Sequence, residues 1–182
     1  MGKKILVVVD MQKDFTTGVL GNKECISVID QVKKVIKDGN YDNIIFTMDT
    51  HTKDYLNTQE GKFLPVEHCI KGTVGHEIVD ELVDTANMTN AEISYVEKPV
   101  FGSFELADII YDTIPYPSMQ KEAIVDFVGV CTGICVISNF MIVKARVPET
   151  QIRIIENACA CVTPESHNRA IEAMKLCQAV IV

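Results

Sequence analysis

The chain has 182 residues, 47% hydrophobic and 23% charged, with 17 basic against 25 acidic side chains and a formal net charge of -8. That is the make-up of an ordinary globular chain, long enough to bury a core without disulfides. The acidic balance argues against the basic face that nucleic acid or an anionic membrane requires, and leaves small-molecule chemistry open.

Lys4 to Asp10 is a continuous β-branched run, expected as a strand buried on both faces. Apolar residues at 25, 26, 28, 29, 32, 35 and 36 fit an amphipathic helix over Cys25 to Lys37, stopped by Asp38-Gly39-Asn40. Asn43 to Asp49 reads as a second strand, and Thr50 to Thr73, without a clear period, as a long functional loop. Then follow a short helix over Gly75 to Val83, a strand over Ile93 to Lys98 and a helix over Phe104 to Tyr111. Pro115 and Pro117 mark a turn. Ala123 to Val130 is the fourth strand, Cys135 to Ala145 a helix, Gln151 to Glu156 the fifth strand and Pro164 to Leu176 a helix; Gln178 to Val182 fits a sixth strand. Phe127 to Val143 carries no charge, but its glycines and polar residues suit a buried strand entering a buried helix better than a membrane span.

Alternating strands and helices predict an α/β fold in three layers: a six-stranded, mostly parallel sheet with helices on both faces. No repeat, low-complexity segment or linker appears, so one domain over residues 1–182 is expected. The apolar run at the start is too short for a secretory signal, which predicts a cytoplasmic protein. The seven cysteines, an odd number, are then expected to be reduced thiols.

In such sheets ligands bind beyond the carboxyl ends of the strands, where strand order reverses. The first strand ends at Asp10, the second at Asp49 with His51 beyond it, the third at Lys98, and the fourth in a turn holding Cys131 and Cys135. Cys135 falls where a two-glycine loop becomes a helix, a position that lowers a thiol pKa, more so with a lysine nearby. Free amides of that turn would suit an oxyanion hole. The alternative for Cys135 is a small buried hydrophobe. Cys131 is the rival nucleophile, with less to gain from the helix.

Asp49, His51 and the later His68 have the makings of a metal site for zinc, iron or manganese, and Glu60 in the same loop offers a further oxygen. His76 reads as a helix-start residue and His167 as a helix residue without an assigned role. Cys159 and Cys161 follow the fifth strand, and their spacing alone does not make a metal site.

Together these segments resemble the isochorismatase-like cysteine hydrolase superfamily, and within it the nicotinamidases. The resemblance rests on Val9-Asp10-Met11-Gln12-Lys13-Asp14-Phe15 with Gly18-Val19-Leu20, on Thr47 to His51, and on Pro65 to Thr73. Lys98 to Phe104 and Gly129 to Val136 complete it, so that it covers nearly the whole chain.

The resemblance implies Cys135 as nucleophile, Asp10 as general base and acid, and Lys98 as the cation that balances their charge. It also implies a cis peptide at Val130–Cys131, with the amides of Cys131 and Cys135 as oxyanion hole. Asp49, His51 and His68 would bind a divalent metal, most readily zinc, with Glu60 as the fourth ligand, and the substrate's ring nitrogen would face that metal. Phe15, with Phe63 or Phe101, would sandwich the ring.

The implied activity is hydrolysis of nicotinamide to nicotinate and ammonia through a thioester, a step of NAD salvage. Homo-oligomers are common among relatives. Two features depart from the pattern: Gly133 stands where nicotinamidases commonly carry Asp, and the loop from His51 to His68 lacks a second histidine that some relatives use. Two rival readings follow. One is a cysteine hydrolase of the same superfamily acting on a carbamoyl or ureido amide, often without metal. The other is a non-catalytic flavodoxin-like binding module, which would leave Lys98 and the Cys135 turn without a task. An isochorismatase proper is disfavoured because those enzymes lack the nucleophilic cysteine.

Overall fold

A computed structural model describes residues 2–114 and 117–182. Six strands form one all-parallel sheet: β1 (Lys4–Val9), β2 (Asn43–Asp49), β3 (Glu92–Lys98), β4 (Ile124–Val130), β5 (Gln151–Ala160) and β6 (Val180–Ile181). Their order is β3-β2-β1-β4-β5-β6, so strand order reverses between β1 and β4. The carboxyl ends of those two strands therefore open the crevice in which ligands bind in such sheets.

The β-branched run of β1 explains the layering. Successive side chains of a strand point to opposite faces. Ile5, Val7 and Val9 pack with α6 (Phe104–Thr113), α7 (Ile137–Arg146) and α8 (Pro164–Leu176), through residues such as Leu106, Phe140 and Ile171. Leu6 and Val8 face the other side, against α3 (Ile29–Asp38) and α5 (Asp80–Asn87) through Val32, Ile36 and Leu82. Both faces are thus covered, as the uninterrupted apolar pattern requires. Among the described residues no helix is long and apolar enough to cross a membrane, and the uncharged stretch 127–143 runs from β4 into α7.

Several boundaries differ from the sequence expectation. A short α1 (Lys13–Thr16) follows β1. The helix expected over Cys25 to Lys37 is two, α2 (Lys23–Ser27) and α3, with Asn22 capping the first by accepting from Cys25 N at 3.0 Å. The presumed loop 50–73 contains a 3-10 turn, Tyr55–Asn57, and α4 (Gln59–Phe63), capped by Thr58. A five-residue polar helix has no room to show a period.

The helix expected over Gly75 to Val83 is a 3-10 turn, Val74–His76, followed by α5. Between them the chain is extended because Lys13 N donates to Glu77 O (2.8 Å) and Val79 N to Met11 O (2.9 Å). Strand β5 continues past Glu156 to Ala160 through an irregularity in its pairing with β4, which places Cys159 inside the strand. Of the expected Pro115/Pro117 turn, Pro115 lies outside the described residues and Pro117 opens a 3-10 segment ending at Glu122.

Candidate active site

Asp10 follows β1 with φ 47, in the left-handed region that few side chains adopt. Its amide bonds Thr47 O at 3.3 Å, and Thr47 Oγ1 donates to Asp10 Oδ1 at 2.5 Å, tying the carboxylate to β2. Beside it Gly129 on β4 has φ 115, and a Cβ there would lie 2.1 Å from Val9 O, so only glycine lets the two strands approach this closely. The Val130–Cys131 peptide is cis, as the resemblance implied. Thr132–Val136 then forms a π-helical turn rather than the first turn of an α-helix, and Cys135 lies within it. The amides of Ile134 and Val136 both donate to Cys131 O, at 3.0 and 3.1 Å.

Lys98, 1% exposed, links two halves of the site. Its Nζ lies 2.7 Å from Asp10 Oδ2, 3.5 Å from Asp49 Oδ1 and 3.8 Å from Cys135 Sγ. Burial alone would lower the lysine pKa, but Asp10, Cys135 and Asp49 together hold it above its ordinary value. Burial pushes the Asp10 carboxyl up against the pull of Lys98.

The expected depression of the Cys135 thiol is not what the structure shows. Burial, and then the Asp10 carboxylate, push it well up, with Lys98 opposing. Cys135 is thus favoured as a thiol beside the Asp10 carboxylate, because full desolvation outweighs the pull of one lysine.

On the other side of Lys98, Asp49, His51, Glu60 and His68 each offer a ligand atom, all within 4.8 Å of one another. Asp49 Oδ2 is 2.9 Å from His51 Nε2 and 3.4 Å from His68 Nε2; Glu60 Oε1 is 3.8 and 3.7 Å from the same nitrogens. His68 Nδ1 donates to Val66 O at 2.8 Å, which leaves Nε2 as the lone-pair nitrogen facing the cluster. Glu60 is raised by burial and by Asp49, while for Asp49 the two histidines overcome the effect of burial and hold it low. A buried and a half-buried carboxylate and two buried imidazoles converging on one point are a donor set for a divalent cation of the zinc, iron or manganese kind.

Several residues whose task is not evident from the sequence hold this geometry. Gln12 is fully buried; its Nε2 donates to Asp49 O (2.8 Å) and His76 O (2.9 Å), and its Oε1 accepts from Asp49 N (2.7 Å). His76, instead of starting a helix, bonds Thr50 Oγ1 at 2.8 Å. His51 is registered by Cys69, whose carbonyl accepts from His51 N at 3.0 Å. Asn139, one helical turn after Cys135, donates to Cys135 O (2.8 Å) and Phe101 O (3.1 Å). His167 meets Thr132 Oγ1 at 2.9 Å. The available signal was a buried-type amide in an apolar stretch: Gln12 two residues after Asp10, and Asn139 four after Cys135.

A cavity of about 470 Å³ opens onto both halves, lined by Asp49, Glu60 and His68 at one end and by Cys131, Ile134 and Cys135 at the other. Phe15, Val19, Leu20, Leu64 and Phe101 supply its apolar walls. Such a volume and lining suit a small, mostly apolar molecule. Phe63 does not reach it: it is 82% exposed, and Leu64, four residues after Glu60 and so on the same helical side, lines the cavity instead.

The chain is similar to known proteins over nearly its whole length. Residues 4–182 match the family model described as an isochorismatase domain. The chain is 27% identical over 138 residues to the nicotinamidase of Saccharomyces cerevisiae, covering 60% of this chain and 62% of that protein, less than two thirds of its length. A nicotinamidase/pyrazinamidase of Bacillus subtilis superposes with a TM-score of 0.80 at 25% identity, covering 99% of each chain. A pyrazinamidase of Pyrococcus horikoshii in complex with zinc gives 0.78 at 27% identity, covering 99% of this chain and 98% of that one. An N-carbamoylsarcosine amidase from Thermoplasma acidophilum shares the fold, with a TM-score of 0.74 at 22% identity over 98% and 95% of the two chains. With the family model spanning all but the first three residues, the chain belongs to the isochorismatase family and is an isochorismatase-like hydrolase.

Proposed function

We propose that the protein is a nicotinamidase, hydrolysing nicotinamide to nicotinate and ammonia through a thioester on Cys135. The observation that carries this reading is that one cavity joins Cys135 to the Asp49, His51, Glu60 and His68 cluster. A plain carboxamide needs only the nucleophile end; a ring bearing both a carboxamide and a nitrogen donor uses both ends. When bound, a divalent ion in that cluster supplies a Lewis-acid site for the ring nitrogen. The cluster's donors suit zinc, the metal in the complex of the Pyrococcus horikoshii pyrazinamidase, and iron or manganese suit them equally.

In the proposed reaction Phe15 and Phe101 hold the ring. Asp10 takes the Cys135 proton, and the thiolate attacks the amide carbon. The amides of Cys131 and Cys135 receive the oxyanion. Asp10 returns the proton to the leaving ammonia, then activates the water that hydrolyses the thioester. Lys98 holds the Asp10 carboxylate in place and offsets the negative charge as the proton moves.

The test is ammonia release from nicotinamide by wild type and Cys135→Ala, with bound metal measured on both. We expect turnover in wild type and none above background in the variant, at equal metal content. Activity surviving in the variant removes Cys135 as nucleophile. No turnover of nicotinamide by metal-loaded wild type, with turnover of a carbamoyl or ureido amide, assigns the site to the other branch of amidohydrolases.

A further inference from the structure

Cys131, Cys161 and Cys25 form a thiol cluster behind the active cavity, and the catalytic scheme uses none of their sulfurs. In the pairing of β4 with β5, Gly129 lies opposite Cys159 and Val130 opposite Ala160. Cys131 and Cys161 each stand one residue beyond those paired strand ends. Neighbouring strands lie about 4.8 Å apart, inside the Cα separation of roughly 4.4–6.8 Å that a disulfide spans. The Cys131 thiol also meets the sulfurs of both Cys161 and Cys25.

We propose that Cys131 and Cys161 are a peroxide-sensitive dithiol, closing a disulfide across the ends of β4 and β5 that switches the adjoining active site off.

Three observations single out Cys161 as the sulfur that reacts first. It lines a separate pocket of about 150 Å³, together with Thr163, His167 and Asn168, large enough for a peroxide. Cys131 first, and then Ser166 and the backbone of Gly133 and Val162, favour its thiolate; against burial, these bring the Cys161 thiol down to about 5. The absence of a side chain at Gly133 matters here: a Cβ would sit 3.5 Å from Cys161 Sγ, and an acidic group beyond it would press negative charge on the thiolate. Cys25 is fully buried and lines neither pocket.

The chemistry balances. The Cys161 thiolate attacks one peroxide oxygen, the O–O bond breaks, and hydroxide leaves to become water, giving a sulfenic acid. Cys131 is held protonated mainly by its interactions with Cys161 and Cys25, so oxidation of Cys161 removes the chief of them. The Cys131 sulfur then attacks the Cys161 sulfur; the S–S bond forms, the S–O bond breaks, and the hydroxyl leaves as water with the Cys131 proton. Two thiols and one hydrogen peroxide become one disulfide and two waters. Cys135 is a poor competitor because it rests as a buried thiol. The effect on catalysis rests on the proposed role of the Cys131 amide in holding the oxyanion.

The test treats the reduced, full-length, metal-loaded protein with a few equivalents of hydrogen peroxide, blocks remaining thiols with N-ethylmaleimide and maps peptides without reduction. We expect loss of two of the seven thiols, a Cys131–Cys161 linked peptide, and its reversal by dithiothreitol. Cys161→Ser should keep all its remaining thiols under the same exposure. A Cys25–Cys131 link, oxidation of Cys135 before the pair, or equal thiol loss in Cys161→Ser overturns the assignment. If that variant fails to fold, the wild-type map alone decides.

The rate at which iodoacetamide alkylates Cys135 reads the site without any substrate. It should change at least threefold on disulfide formation, and an unchanged rate refutes the switch. Ammonia release from nicotinamide should fall at least tenfold and return with dithiothreitol. Absence of that activity before oxidation counts against the nicotinamidase reading and leaves the thiol map and the alkylation rate to judge this proposal.

Discussion

Replacing Lys98 by methionine tests the electrostatic design of the site most directly. The two side chains are similar in length, so the buried space stays filled while the charge goes. Nζ stands 2.7 Å from Asp10 and 3.5 Å from Asp49, and all three residues are buried. Removing one partner of a buried ion pair costs about 3–5 kcal/mol, because the other charge is left unpaired. At roughly 2–4 °C per kcal/mol for a chain of this size, Tm should fall by about 6–20 °C.

Asp10 would then keep the upward push of burial without the Lys98 pull that now opposes it. A folded-state pKa above the unfolded one gives stability that is full at low pH and is lost as pH rises through the folded value. The Lys98→Met deficit should therefore widen from pH 5 to pH 8. Urea unfolding at both pH values measures it. Asp10→Asn added to Lys98→Met should restore about half of the lost stability while hydrolysis stays absent. A deficit under about 1 kcal/mol at pH 8, or a double variant no more stable than the single, would refute the argument that Lys98 is what keeps these carboxylates in place.

Gln12→Ala leaves the amide and carbonyl of Asp49 without their partners; metal affinity, by titration with chelator competition, should fall about tenfold to a hundredfold. Gly129→Ala sets a Cβ 2.1 Å from Val9 O at a φ of 115, and urea unfolding should show a loss of at least about 3 kcal/mol. Phe15→Ala should raise KM for nicotinamide severalfold, whereas Phe63→Ala, outside the cavity, should leave KM and kcat unchanged. Stripping the metal with a chelator should abolish ammonia release, with recovery on adding back zinc, iron or manganese in the stoichiometry found by elemental analysis.

Much of this molecule was legible from local pattern. The runs Lys4 to Val9, Asn43 to Asp49 and Ile124 to Val130 are strands buried on both faces, and such segments announce themselves by a predominance of β-branched and apolar residues. Asp10, Asp49 and Lys98 end or follow their strands, so their convergence on one sheet edge follows once the sheet is parallel. The short elements were not legible. Helix α4 turns Glu60 and Leu64 inward and Phe63 outward, and a helix of five residues is too short to show a period from which to read that.

What only the tertiary structure decided are quantities set by neighbours far away in the chain. The protonation of Cys135 depends on burial and on Asp10, 125 positions earlier in the sequence, and it reversed the expectation drawn from the turn alone. Gln12 as the clasp on Asp49 depends on β1 pairing with β2. Cys131 and Cys161 come to neighbouring strand ends only through the β4–β5 register and the irregularity before Cys159, which carries the strand past Glu156. Periodicity along the chain reveals which faces must be covered, since burial of apolar side chains is a local requirement. It does not reveal which charges and sulfurs meet, because Coulomb forces, desolvation and hydrogen bonds act across space, between strands that the sequence holds far apart.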